Sequence, residues 1–186
     1  MNGLPLVTVL ADGFALTLLL DTGAEQTVLT SGAAERAGGK APQIEFRRSL
    51  SGVTGSLPSR EVEFKSFTIG GIDIPWRRVR IATIAMPSVL SKVDGVLGTD
   101  VLGKFDVDLD LPNGRMSLYE KGVCAPDWAA SDAEIKIGRS AANDHLFFPV
   151  QLDRRKITAT IDTGAQRTTL SAATARAMGI TDAVLA

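Results

Sequence analysis

The sequence predicts a mostly β protein with short helices, built as one closed or nearly closed lobe and the start of a second equivalent one. Two observations carry this expectation. Short runs of Val, Ile, Leu and Thr recur between glycine-bearing turns, the signature of strands joined by hairpins. One stretch of the chain is also repeated at an offset of 141 residues. Leu18-Leu19-Leu20-Asp21-Thr22-Gly23-Ala24 lies over Ala159-Thr160-Ile161-Asp162-Thr163-Gly164-Ala165. The match continues with Thr27 over Thr168, Leu29 over Leu170, Thr30 over Ser171, Ala34 over Ala175 and Gly38 over Gly179. A single tripeptide recurs by chance, but a tripeptide with its flanking hairpin and following helix marks a repeated unit.

Each unit opens with an apolar run and a turn, at residues 6–13 and 147–153. A second strand follows, at 14–20 and 156–161, and ends at the Asp. Alanine-rich helices are expected from Ser31 to Ala37 and from Ala172 to Met178, with Gly38 and Gly179 as stops. The first unit goes on. Residues 44–50 and 60–69 read as strands around the glycine-tipped hairpin Ser51-Gly52-Val53-Thr54-Gly55-Ser56. Gly70-Gly71 is another turn, and 72–85 is again β-like. Gly95-Val96-Leu97-Gly98 precedes a short helical turn. Phe105 to Asp110 alternates with period two and leads through Pro112-Asn113-Gly114-Arg115 to Met116–Tyr119, a hairpin with an Asn-Gly signal. Residues 1–120 are therefore expected to form one complete lobe. Residues 121–134 lack a clean period and read as a linker, and 135–186 reads as the N-terminal part of a second lobe.

Composition excludes several classes of function. The chain has 186 residues, is 45% hydrophobic and carries a net charge of −1. A core can form, and no field exists that would gather nucleic acid. Arg77, Arg78 and Arg80 form the densest basic stretch and are expected on a solvated face. Cys124 is the one cysteine and His145 the one histidine. An intrachain disulfide and a thiolate zinc cluster are thus impossible, and His145 reads as a structural histidine after a loop. The acidic group Asp94, Asp100, Asp106, Asp108 and Asp110 lacks the spacing of an EF-hand, and its last three members suit a solvated strand face. Trp76 and Trp128 read as packing residues, and no phosphate-binding glycine loop is present. No apolar run reaches the roughly 20 residues of a membrane span, and the first residues do not resemble a signal peptide. A cytoplasmic protein fits these features, as does a mature or trimmed periplasmic one.

Two aspartates, each ending an apolar strand inside an Asp-Thr-Gly-Ala turn, suit one kind of chemistry. Paired carboxylates around a single water resist double ionisation and share a proton. The ionised member can then act as general base, and the protonated one can donate to a carbonyl oxygen. Gly23 and Gly164 let the backbone turn tightly and bring an N–H to the carboxylate. Thr22 and Thr163 supply hydroxyls able to bond across two such loops, and Ala24 and Ala165 keep the turns compact.

On these residues the sequence resembles a retropepsin-like aspartic peptidase of the pepsin and retropepsin clan, of the kind bacteria carry. Leu19-Leu20-Asp21-Thr22-Gly23-Ala24 resembles the catalytic loop. Gly52-Val53-Thr54-Gly55 lies where the family has its substrate-covering flap, and Gly95-Val96-Leu97-Gly98 resembles the segment passing beneath the catalytic loop. The resemblance implies an acid-protease-like barrel lobe, Asp21 and Asp162 as the catalytic pair, and Thr22 and Thr163 as an interlocking pair. It implies a peptide or protein substrate held as an extended strand, and no metal or organic cofactor. The second unit lacks the later segments of the first, which leaves three arrangements open: a longer two-lobe chain, a homodimer through the catalytic-loop face, or a second unit completed by a partner. A peptide-binding module without turnover, or an inactive fragment, is the competing reading.

Overall fold

The computed structural model describes residues 3–43, 48–52, 55–75, 77–84, 90–123, 137–139 and 146–180. Strand β1 (Leu6–Ala11) pairs antiparallel with β2 (Phe14–Leu20), and Ala11 opposite Phe14 closes the turn. Asp12 at φ 49° and Gly13 at φ 82° make that turn. Both lie in the left-handed region, which a two-residue hairpin needs if its twist is to match that of the strands. Strand β3 (Val28–Thr30) runs directly into helix α1 (Ser31–Arg36). The Thr30 hydroxyl accepts from the N–H of Ala33 and caps the helix, and Gly38 at φ 75° ends it.

The strands β4 (Arg48–Gly52) and β5 (Gly55–Glu63) form a hairpin whose last described pair is Gly52 opposite Gly55. Val53 and Thr54 lie outside the described residues. Next come β6 (Phe67–Ile69), β7 (Ile72–Asp73), β8 (Arg78–Ala82), β9 (Gly95–Leu97) and the one-turn helix α2 (Thr99–Leu102). These strands form one sheet in the order β4-β5-β8-β3-β9-β2-β1-β6-β7.

That order dictates the shape. Strands β5 and β6 stand six neighbours apart, about 29 Å across a flat sheet. Yet β5 ends at Glu63 and β6 starts at Phe67, a span the chain covers in at most about 14 Å. The sheet must therefore roll up on itself. Its interior holds Val9, Leu16, Leu18, Leu29, Val62, Phe64, Phe67, Ile69, Val79 and Leu97 in a single cluster drawn from both ends of the strand order. The hairpin of β10 (Phe105–Asp110) and β11 (Arg115–Glu120) packs Phe105, Val107, Leu109, Met116 and Leu118 against the same cluster. The predicted mostly β lobe with short helices is thus present.

Several boundaries differ from the sequence reading. Residues 60–69 are two strands, because Phe64 is buried against Phe67 and the chain turns a corner there. The Ser66 N–H is tied to the Asp12 carboxylate across that corner. Residues 72–85 are likewise split, with the fully buried Ile74 between β7 and β8. Arg78 is exposed and pairs with Glu63, whereas Arg77 is half-buried, bonded to the Ile74 carbonyl and paired with Asp73, and Arg80 is buried. The reason is that β8 is covered on both faces, so alternation does not bring every second residue to water. Asp106, Asp108 and Asp110 are half-buried. Asp106 accepts from the N–H of Gly122, and Asp110 caps a 3-10 turn at Leu111–Asn113. Trp76, Cys124, Trp128, His145 and most of the predicted linker lie outside the described residues.

The second unit repeats the local structure of the first. Strands β12 (Gly138–Arg139), β13 (Leu146–Leu152) and β14 (Arg155–Thr160) form a separate three-stranded sheet. Helix α3 (Ala172–Ala177) is capped by Ser171, whose hydroxyl accepts from Thr174 N–H, and Gly179 at φ 80° ends it. Apart from β12, each of these features has its counterpart about 141 residues earlier. Burial does not repeat: Leu20 is 3% exposed against 46% for Ile161, and Leu29 is 0% exposed against 37% for Leu170. Strand β9 pairs with both β2 and β3 in the first unit. Among the described residues, β14 has no such neighbour.

Candidate active site

Strand β2 delivers Asp21 to its end, where the Asp21 N–H donates to the carbonyl of Leu97 on β9. The loop that follows folds back on its own carboxylate. The Gly23 N–H donates to Asp21 Oδ1 at 2.8 Å. In the second unit Gly164 N–H and Ala165 N–H donate to Asp162 Oδ1 at 2.9 and 3.1 Å. Both turns thus supply backbone donors to the carboxylate, as the Asp-Thr-Gly sequence suggested.

The two loops interlock. The Thr22 N–H donates to Thr163 Oγ1, and the Thr163 N–H donates to Thr22 Oγ1, each at 3.1 Å. The hydroxyls in turn donate across the axis, Thr22 Oγ1 to the carbonyl of Ile161 at 2.7 Å and Thr163 Oγ1 to that of Leu20 at 2.6 Å. Four hydrogen bonds therefore tie the two loops about a local two-fold, two between residues 141 apart and two spanning 139 and 143 residues. The glycines permit the close approach: a Cβ on Gly23 would stand 2.5 Å from Asp162 Cγ, and one on Gly164 would stand 2.6 Å from Asp21 Cγ. The structure thus brings together Asp21, Thr22, Gly23, Asp162, Thr163 and Gly164, with Ala24 and Ala165 closing the two turns.

This arrangement perturbs Asp21. Its carboxyl is raised to about 6, chiefly by burial, then by the charge of Asp162 and the hydrogen bond with it; the N–H groups of Gly23 and Ala24 oppose the rise. Replacing Thr22 and Thr163 singly and together by Val is expected to show coupling. Each change strands a polar group, at about 1–3 kcal/mol, and the pair should be non-additive by at least about 0.5 kcal/mol in a thermal-unfolding cycle. Strict additivity would mean that the loops do not bond across the axis in solution.

Residues beyond the two motifs brace the first loop. Gly98 N–H donates to Thr27 Oγ1, and Thr99 N–H donates to the carbonyl of Ala24. Asp100 accepts from both the N–H and the hydroxyl of Thr27, and burial raises its carboxyl above the ordinary value. Asp94 accepts from Thr17 N–H and pairs with Arg36. The sequence placed Asp94 and Asp100 in a loose acidic group. Their bracing role depends on partners more than 50 residues away, which spacing alone does not reveal. The glycine-tipped hairpin is present, with Gly52 paired to Gly55.

An Asp at the end of a strand in each of two interlocked Asp-Thr-Gly-Ala turns, on a mostly β frame, defines a carboxylate-pair site. The sequence model of the family described as aspartyl protease matches residues 7–101, just over half of the chain, and the chain belongs to that family. Comparison with curated proteins found no match. Among solved structures, the chain is similar to EIAV protease complexed with an inhibitor, at 27% identity and a TM-score of 0.42, over 55% of this chain and 88% of that one. It is also similar to a retropepsin-like aspartic protease from Rickettsia conorii, at 17% identity and a TM-score of 0.46, over 59% of this chain and 86% of that one. Among the described residues no helix is long and apolar enough to cross a membrane.

Proposed function

We propose that the chain is an aspartic endopeptidase in which Asp21 and Asp162 hold the attacking water between them. The observation that carries this reading is the reciprocal threonine bonding around the two aspartates, which fixes both carboxyls in one place. With one proton shared, the ionised member takes a proton from water as the oxygen attacks the peptide carbonyl. The protonated member donates its proton to the developing oxyanion; the proton taken from water then passes to the leaving amine, and the collapsing intermediate returns one proton to the pair. The substrate lies as an extended strand beneath the Gly52–Gly55 hairpin and is held by main-chain hydrogen bonds as in strand addition. Residues 1–120 act as one lobe, 121–134 as the linker and 135–186 as the opening of a second lobe. The exposed Ile161 and Leu170 support that last assignment, since their counterparts Leu20 and Leu29 are core residues.

Cleavage of an unfolded protein across pH 3 to 8 tests the reading. Because the Asp21 carboxyl is raised to about 6, the shared proton is present below that value and is lost as pH rises through it. Activity should therefore fall above about pH 6. A rate that keeps climbing to pH 8 would point to a different catalytic group. Stability has the same sign. The folded chain holds this proton between pH 3.8 and about 6 where the unfolded chain does not, so burying Asp21 costs more as pH rises through that window.

A further inference from the structure

The chain passes from β2 to β3 through residues 21–27, which form neither strand nor helix. The segment that ends β9 and opens α2 holds this loop in place. At its start the Asp21 N–H donates to the Leu97 carbonyl at 3.1 Å. In its middle the Ala24 carbonyl accepts from the N–H and the hydroxyl of Thr99 at 2.9 and 3.1 Å, and the Glu25 carbonyl accepts from the Asp100 N–H at 3.2 Å. Its far end is clamped at Thr27, which is 3% exposed. The Thr27 hydroxyl accepts from the Gly98 N–H at 3.1 Å and donates to Asp100 Oδ1 at 2.7 Å, while the Thr27 N–H donates to the same oxygen at 2.9 Å. The Val101 N–H gives Asp100 Oδ1 a third donor at 2.9 Å.

The second loop separates this clamp from the turn itself. The Gly164 N–H bonds to Asp162 as the Gly23 N–H bonds to Asp21, so the two turns share one local form. Yet Thr168, the counterpart of Thr27, is exposed. An Asp-Thr-Gly turn therefore forms without a buried threonine at this position, and what the clamp adds is the location of the turn in its lobe. That location has little slack. Gly23 lies against the Asp162 carboxyl and Gly164 against that of Asp21, each too close for a methyl group between them. A misplacement of about 1 Å at such a site costs about 10²-fold in rate.

We propose that Thr27 and Asp100 are positioning residues for the carboxylate pair: by clamping the 21–27 loop to the 97–101 segment they set where Asp21 stands relative to Asp162. This role rests on the peptidase reading and adds to its site two residues that act through Asp21.

The test compares Thr27→Val, which keeps the shape and removes the hydroxyl, with Thr27→Ser, which keeps the hydroxyl. Ile74→Val, a core truncation at the corner between β7 and β8, is the control for lost stability at about 1 kcal/mol. In cleavage kinetics at pH 5, Thr27→Val should lower kcat about 10²-fold with KM within about twofold of wild type. Thr27→Ser should stay within about threefold of wild type in kcat, and Ile74→Val should equal wild type. Asp100→Ala should match Thr27→Val and takes its place should that variant not fold. In parallel the Asp21 carboxyl is titrated by NMR of 13C-labelled aspartate. Its midpoint of about 6 is raised by burial and by Asp162, so displacement should lower it towards 3.8 in Thr27→Val and leave it in place in Thr27→Ser. An unchanged kcat or an unchanged midpoint in Thr27→Val overturns the proposal, as does a loss of kcat that Ile74→Val shares. If wild type cuts nothing while the midpoint falls in Thr27→Val, the positioning role stands and the peptidase reading fails.

Discussion

Asp21→Asn is expected to abolish cleavage, lowering kcat by at least about 10³-fold with little change in unfolding temperature. An amide keeps the shape of the carboxyl and still accepts from the Gly23 N–H. It can neither take a proton from water nor share one, and general acid–base work by one group is worth about 10²–10⁴-fold. Asp162→Asn should match it, because the threonine bonding puts both carboxyls at one site. Kinetics on an unfolded substrate at pH 5, with unfolding followed in parallel, make the measurement. Full activity in Asp162→Asn alongside a dead Asp21→Asn would mean that two first lobes pair with each other and the second unit stands aside. Full activity in both would sink the carboxylate mechanism.

The largest effect on stability is expected from Gly95→Ala. A Cβ there would stand 2.2 Å from the carbonyl oxygen of Val28 and 2.9 Å from Cα of Leu29. Both are backbone atoms of β3, which pairs with β9 at this point, so neither can swing aside. The β3–β9 pair also carries the chain from the sheet to Gly98, whose own Cβ would stand 2.6 Å from the backbone of Gln26. Overpacking against a fixed backbone costs about 3 kcal/mol, or about 10 °C in Tm for a chain of this size. Gly32→Ala is the contrast. Its nearest neighbour would be the flexible Arg36 guanidinium at 3.6 Å, and alanine in a helix should gain up to about 1 kcal/mol. Thermal unfolding of the two variants decides the matter. A Gly95→Ala protein as stable as wild type would show that β3 and β9 are not so closely packed.

Much of this was legible in the residues because it is local. The turn at Asp12-Gly13, the two alanine-rich helices and their stops at Gly38 and Gly179 each depend on a few neighbours in sequence. The Asp-Thr-Gly turns are legible for the same reason, since Gly23 and Gly164 bond to a carboxylate two residues back. The repeat added one non-local fact, that the two turns are equivalent and can pair. Arg80 was misread because period-two alternation assumes a strand with one wet face, and β8 is covered on both. Residues 60–69 were misread because Phe64 continues a β-type pattern while turning inward to meet Phe67.

The sequence by itself determined the kinds of element, their turns, and the presence of two like carboxylate loops, since each follows from the conformational limits of a few adjacent residues. Only the tertiary structure decided which groups meet. Rolling the sheet puts β9 under the first loop, presses Asp100 onto Thr27 and buries Arg80 behind Ser59, through contacts between residues far apart in the chain. It also decided the unequal fate of two similar units. Leu20 and Leu29 are covered where β9 lies beside them, whereas Ile161 and Leu170 stay exposed, because burial depends on the neighbours that the fold supplies.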